Sequence, residues 1–338
     1  MNPAAKGYDR AVDSLLARMS PVLHLTRITG GVAAIGNVWL ILLWSRSSPM
    51  ERDTAPIEVL SRPLWAVLLA GAMAALGLYA FAMAVNGAMD VRRDRALHPD
   101  RPLASGRMRM ETAIAVIVGS LLIAVLGAIA LGTQAVGMAV LTACAIMFHE
   151  SAAKHIPSTG LVLLGLIYAA HMGIANMSLR FVWPVWLAMT HALAVGAITY
   201  RLAERRPPLS GVTFILAGAG WLFWSGVVLA FGWYRTGHLW PREVDPSVLW
   251  WIALLVAGFA AIAWWKWRTS RSGRRAADRI QRYGLWWLTL YATAWLWASG
   301  HNGPALIMGL LAGLALLMMT TLRELYSLLE HPVGWRKA

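Results

Sequence analysis

The sequence predicts an all-α protein, a polytopic transmembrane helical bundle, from three observations. Of its 338 residues, 58% are hydrophobic and only 14% are charged, against about 25% charged in soluble domains; the mean hydropathy is +0.56. Its apolar runs reach the roughly 20 residues that a helix needs to cross a bilayer. Its Lys and Arg residues gather in alternate connections between those runs. A membrane β-barrel would show two-residue alternation, which the runs lack. Irregular backbone facing lipid would leave its polar groups unpaired.

Residues 1–22 are polar and mixed, read as a cytoplasmic N-terminal segment without the pattern of a cleavable signal. Ten spans are then expected, near 23–44, 64–89, 112–131, 134–149, 159–177, 182–200, 211–232, 248–266, 284–299 and 304–322. Their ends are set to within about four residues. The fourth and ninth are short for a full crossing, so the expectation is nine to ten spans in a single transmembrane domain, 23–322, with a cytoplasmic tail at 323–338.

Charge orients the bundle. Arg92, Arg93, Arg95, Arg101, Arg107 and Arg109 follow the second span, Lys154 the fourth, and Arg201, Arg205 and Arg206 the sixth. Lys266, Arg268, Arg271, Arg274, Arg275, Arg279 and Arg282 follow the eighth. If every span crosses, all of these lie on one side, whereas 132–133 and 300–303 carry no Lys or Arg. The rich side is the cytoplasm, which places both termini there and the protein in a bacterial inner membrane.

The net charge of +14 belongs to this loop bias and forms no soluble basic domain, so membrane lipid is an expected partner and nucleic acid is not. Cys144, the single cysteine, excludes an intrachain disulfide and a cysteine metal cluster. Trp183, Trp186, Trp264, Trp265, Trp267, Trp286 and Trp287 fall near expected span ends and read as an interfacial belt. Gly309 and Gly313 form a GxxxG suited to close helix packing.

The chemistry concentrates after the second span, in "VNGAMDVRRDRALHPDRPLASGR" from Val85 to Arg107. Asn86, Asp90 and Asp94 are spaced four apart and share one helix stripe. Carboxylates at membrane depth are expensive and face a cavity or a partner. Two carboxylates and an amide oxygen on one face suit Mg2+, which completes its shell with waters and substrate phosphate oxygens. Asp90 and Asp94 could equally neutralise Arg93 and Arg95 at a wet helix end. The turn His98–Gly106, with Pro99 and Pro102, brings Arg101 back toward the helix end.

This stretch resembles the first signature of the UbiA superfamily of intramembrane prenyltransferases: Asn-Asp-x-x-Asp-x-x-x-Asp, a short loop, then Arg-Pro-Leu/Ile-x-Ser-Gly. Asn86, Asp90 and Asp94 match three of its four polar positions, and Arg101, Pro102, Leu103, Ser105 and Gly106 match the loop. Gly87 replaces the second acid. The stretch Phe148–Asn176 is similar to the family's fourth and fifth helices, with Lys154 at a position that contacts diphosphate in such enzymes. Glu150 stands where Tyr is usual and Tyr168 where Arg is common. In "AITYRLAERRPPLSG", Ala197–Gly211, the family's second acidic motif is reduced to Glu204; with Thr199 and Arg201 this is closest to the EboC-like branch.

The resemblance covers about 23–300, with 304–322 as an added span, and implies helices around a central cavity. It implies Mg2+-dependent transfer of a prenyl chain from a polyprenyl diphosphate to a second small-molecule or lipid acceptor, aromatic or lipid-like. Asp90 and Asp94, assisted by Asn86, would bind metal, with Glu204 as a second metal contact. Arg101, Lys154, Arg201 and Arg27 would hold diphosphate, with Asp90, Asp94 and Lys154 catalytic. His171 and Asn176 would orient an acceptor or serve as satisfied core polars. The alternative is a degenerate member that binds or helps transport an isoprenoid-linked lipid. A transporter of other mechanism would need central charges and broken spans, whereas the charges here sit at span ends. CDP-alcohol phosphotransferases need an Asp-Gly and Ala-Arg run that is missing here.

Overall fold

The computed structural model describes residues 21–23, 25–26 and 30–330, with 322–330 as backbone alone. Arg27, most of the N-terminal segment and the end of the tail lie outside the described residues. Every regular element among the described residues is helical. The helices are α1 (Gly31–Ser47), α2 (Ile57–Ser61), α3 (Leu64–Met89), α4 (Val91–Leu97), α5 (Met110–Ile129) and α6 (Thr133–Ser151). They continue with α7 (Pro157–Gly173), α8 (Trp183–Leu202), α9 (Gly211–Thr236), α10 (Val248–Thr269), α11 (Gly273–Ala298) and α12 (Asn302–Glu330).

Each expected span overlaps one of these helices, although α1 begins at Gly31 rather than 23. Among the described residues, seven are long and apolar enough to cross a membrane: α3, α5, α6, α8, α9, α10 and α12. The protein is therefore an integral membrane protein. α1 and α7 have 17 residues each, and the first half of α11 is rich in arginine. Large apolar side chains cover the outside, among them Leu122, Phe214, Ile215, Trp250 and Leu310, each more than half exposed. In lipid such a surface carries no penalty.

α11 departs from expectation. It begins at Gly273, well before the predicted start at 284, and absorbs the arginine-rich segment. Ser272 caps it by accepting from the Arg275 backbone N–H. Ala276, Ala277, Ile280 and Gly284 are buried on one face while the charges occupy the other, so periodicity sustains a helix that mean apolarity does not announce. Trp286 and Trp287 consequently fall inside the bundle. Their indole N–H groups donate to the carbonyls of Ala312 and Leu255 at 2.9 Å each, tying α11 to α12 and α10. Trp264, Trp265 and Trp267 remain exposed, as an interfacial belt requires.

Close crossings come from glycines other than the predicted pair. A Cβ on Gly77 would meet the Ala124 backbone nitrogen at 2.5 Å, and one on Gly127 the Ala70 carbonyl oxygen at 2.5 Å, so α3 and α5 touch backbone to backbone. Gly313 has nothing within 4 Å, and Gly309 meets only Thr293 at 3.8 Å.

α1, α3, α6, α7 and α11 surround a cavity of about 640 Å³, to which α12 adds Met319. α5 packs on α3 and α6, α8 on α7 and α11, α9 on α7 and α8, and α10 on α11.

Candidate functional site

The site begins where α3 stops. Asp90 leaves helical geometry (φ −88°, ψ 2°), and α4 restarts at the next residue. The four-residue rhythm survives the break: the N–H of Asp90 donates to Asn86 O at 3.0 Å and that of Asp94 to Asp90 O at 2.8 Å. The predicted stripe is therefore real, but the interruption at Asp90 gives its side chains different partners.

Asp94 pairs with Arg101. The Arg101 Nη1 donates to Oδ1 at 2.7 Å and Oδ2 at 2.6 Å, and Asp94 is only 4% exposed. The turn between them is fixed by sequence. Leu103 and Met108 plug into a small core with Leu25, Ala84 and Ala113, and Gly106 supplies the left-handed residue (φ +75°). Burial, then the Arg101 guanidinium, lowers the pKa of His98 in this turn, so that His98 is neutral at pH 7 and adds no charge.

Asp90 pairs across the bundle. α6 ends at Ser151, and the single 3-10 turn Ala153–His155 carries Lys154 back toward α3 before Pro157 starts α7. The Lys154 Nζ donates to Asp90 Oδ1 at 2.8 Å and to Glu150 Oε2 at 2.9 Å. Glu150 also accepts from Asn86 Nδ2 at 2.6 Å, and its other oxygen lies 3.0 Å from His149 Nδ1. Asn86, Asp90, Glu150 and Lys154 are thus one hydrogen-bonded unit, and each group offsets the cost of burying its neighbours.

Glu150 was read in the sequence only as a departure from a tyrosine, yet it is the hub of this unit. No spacing signal marks it, because its partner on α3, Asn86, is 64 residues away. Asp278, Gln281 and Arg282 on α11 were also missed as cavity-lining residues. Their signal was present: they lie on the polar face of an amphipathic arginine-rich segment.

Glu150, His149, Tyr168 and His171 line the large cavity together with an apolar wall that includes Leu78, Ile146 and Ile167. Lys154 lines a smaller adjoining cavity of about 140 Å³ with Thr199, Tyr200 and Arg205. His149, Tyr168 and Gln281 belong to both walls. Asn176 donates to Ser45 Oγ at 3.1 Å and accepts from the Ser178 N–H, as a satisfied core polar. Arg201 and Glu204 are exposed at the end of α8, Glu204 with a positive φ of 50°; like Asn86, Asp90, Asp94 and Arg101, they line neither cavity.

Among the described residues, no three His, Cys, Asp or Glu side chains gather closely enough to cage a metal. Asp90 Oδ1 is taken by Lys154, while its Oδ2 has only a long contact, 3.4 Å from Asn86 Nδ2. That donor set fits Mg2+ arriving with a diphosphate, since magnesium takes one or two carboxylates and fills its octahedron with waters and phosphate oxygens.

The family model described as the UbiA prenyltransferase family matches residues 57–278. No curated protein matches the chain. Among solved structures, that of digeranylgeranylglyceryl phosphate synthase is 15% identical, with a TM-score of 0.51 over 83% of this chain and 98% of that one. A UbiA homologue from Archaeoglobus fulgidus bound to DMAPP and Mg2+ is 13% identical, with a TM-score of 0.43 over 88% of this chain and 97% of that one. The same homologue bound to GPP and Mg2+ is 14% identical, with a TM-score of 0.43 over 88% and 98%.

Proposed function

The chain belongs to the UbiA prenyltransferase family, and from that premise we propose that it transfers a prenyl chain from a polyprenyl diphosphate to an aromatic or lipid-like acceptor within the membrane. The observation that carries this reading is that the Asn86–Asp90–Glu150–Lys154 unit meets a large, mostly apolar cavity through Glu150 and a smaller adjoining one through Lys154. A prenyl diphosphate has the matching polarity, an apolar chain ending in concentrated negative charge.

Asp90, assisted by Asn86, would hold magnesium; Asp94, expected as a second carboxylate ligand, is engaged by Arg101 and would hold that guanidinium in place. Bound there, Mg2+ would neutralise the leaving diphosphate as a Lewis acid. Lys154 and Arg101 would hold the diphosphate oxygens as charge develops on them. Arg201, exposed at the end of α8, would meet outer diphosphate oxygens, and Glu204 near it would stay outside the metal shell. The allylic carbon–oxygen bond breaks, a bond from that carbon to the acceptor forms, and the acceptor gives up a proton. The apolar wall would keep water from the cation-like carbon.

The arginine-rich connections support a bacterial inner membrane with both termini cytoplasmic. The exposed placement of Glu204 favours one competing reading, a member that binds a prenyl diphosphate without transferring the chain.

The test is turnover of geranyl and longer prenyl diphosphates by purified protein, with and without magnesium. The expected result is magnesium-dependent release of diphosphate that is lost in Asp90→Asn. Tight binding without release across a broad acceptor panel would support the binding role instead.

A further inference from the structure

We propose that Lys154 is a built-in second cation of the diphosphate site, so that the site takes one divalent metal per chain, and that Glu150 is the positioning residue that fixes Lys154 there. The inference rests on the prenyl-diphosphate reading and deepens it.

The placement of Lys154 carries the argument. Its Nζ bridges carboxylates from two helices, Asp90 at 2.8 Å and Glu150 at 2.9 Å, with its side chain only 14% exposed. Two carboxylates brought together out of water are relieved by a cation between them or by a proton on one of them. A bridging divalent ion is one solution; a tethered ammonium is another, and this chain contains the ammonium. An ammonium has three donors. Two are engaged, which leaves one for a diphosphate oxygen.

The donor inventory agrees. Both oxygens of Asp94 face Arg101. Glu150 has one oxygen beside His149 and the other shared by Lys154 and Asn86. The second oxygen of Asp90 takes only a long contact, 3.4 Å from Asn86 Nδ2, so Asp90 is the carboxylate left for one magnesium completed by waters and phosphate oxygens. A second metal would have to displace Lys154.

Gly87 explains why the extra acid comes from α6. A Cβ at position 87 would meet Leu25 Cδ1 at 2.6 Å, with Leu103 next nearest at 3.9 Å. That position faces the small apolar core, whereas Glu150, on the neighbouring helix, reaches Asn86 and Lys154.

The test counts metal directly. Mn2+ is titrated into the full-length protein in nanodiscs with geranyl thiolodiphosphate, a slow-leaving analogue, and bound ions are counted by loss of the free Mn2+ resonance signal. The wild type is expected to hold one Mn2+ per chain. Lys154→Met is expected to hold two, because Asp90 and Glu150 then lack a cation. Glu150→Gln is expected to keep one metal but bind the analogue about 10- to 100-fold more weakly, the worth of a displaced charge-assisted hydrogen bond. Two Mn2+ per wild-type chain would overturn the inference and leave the prenyl-diphosphate reading intact. A count of one in Lys154→Met would overturn the exchange of ammonium for metal, and wild-type affinity in Glu150→Gln would overturn the role of Glu150. Absence of any analogue binding by the wild type would overturn the underlying reading and this inference with it.

Discussion

Arg101 donates from a single nitrogen to both carboxylate oxygens of Asp94, at 2.7 and 2.6 Å, across a turn whose apolar residues are buried. The pair closes the 98–109 connection onto the helix end that carries Asp90. It leaves Asp94 nearly enclosed, while the Arg101 side chain keeps 35% of its surface in contact with solvent. One ionic contact thus ties the loop to α4 and leaves the Arg101 guanidinium partly open to solvent.

Removing the cation alone should be worse than removing both charges. Arg101→Ala strands a buried carboxylate and should cost about 1–3 kcal/mol, read as a lower melting temperature in detergent. Adding Asp94→Asn should recover part of that loss, because the stranded charge is gone. A double variant no more stable than Arg101→Ala would show that the pair does not govern the loop.

Glu204→Gln should leave the magnesium titration of diphosphate binding unchanged. Glu204 is exposed at the end of α8, and among the described residues no hydrogen bond or ion pair joins it to the unit around Lys154. A several-fold rise in the magnesium needed for half-saturation would instead bring Glu204 into the metal shell.

At the opposite end of the helices, Glu51 acts as a lock. It is 0% exposed and accepts from the backbone N–H groups of Arg180 and Phe181 and from the Thr54 hydroxyl, at 2.8–3.1 Å. Glu51→Gln turns an acceptor toward those donors into a donor and should destabilise the fold by about 2 kcal/mol. Thermal unfolding in detergent reads this, and an unchanged midpoint would remove Glu51 as the lock.

Orientation can be read by labelling single introduced cysteines in a Cys144→Ala background. Ser105→Cys, in the arginine-rich connection, should react only when a membrane-impermeant thiol reagent reaches the cytoplasmic face. Gly303→Cys should react from the outer face. The reverse pattern would invert the topology.

By itself the sequence determined the helical bundle, because chain hydropathy and bilayer thickness set span length locally. It likewise determined the four-residue stripe of Asn86, Asp90 and Asp94 and the turn that returns Arg101, since both depend on residues close in the chain. The tertiary structure decided the rest. The pairing of Lys154 with Asp90, the place of Glu150 at the hub and the exposure of Glu204 all depend on how α3, α6, α7 and α8 pack. Trp286 and Trp287 moved from an expected belt into the core because α11 begins early on an amphipathic face. Local periodicity states what a segment is; which side chains meet across a bundle depends on helix register and crossing, which backbone contacts such as Gly77 against Ala124 fix only when the whole chain is assembled.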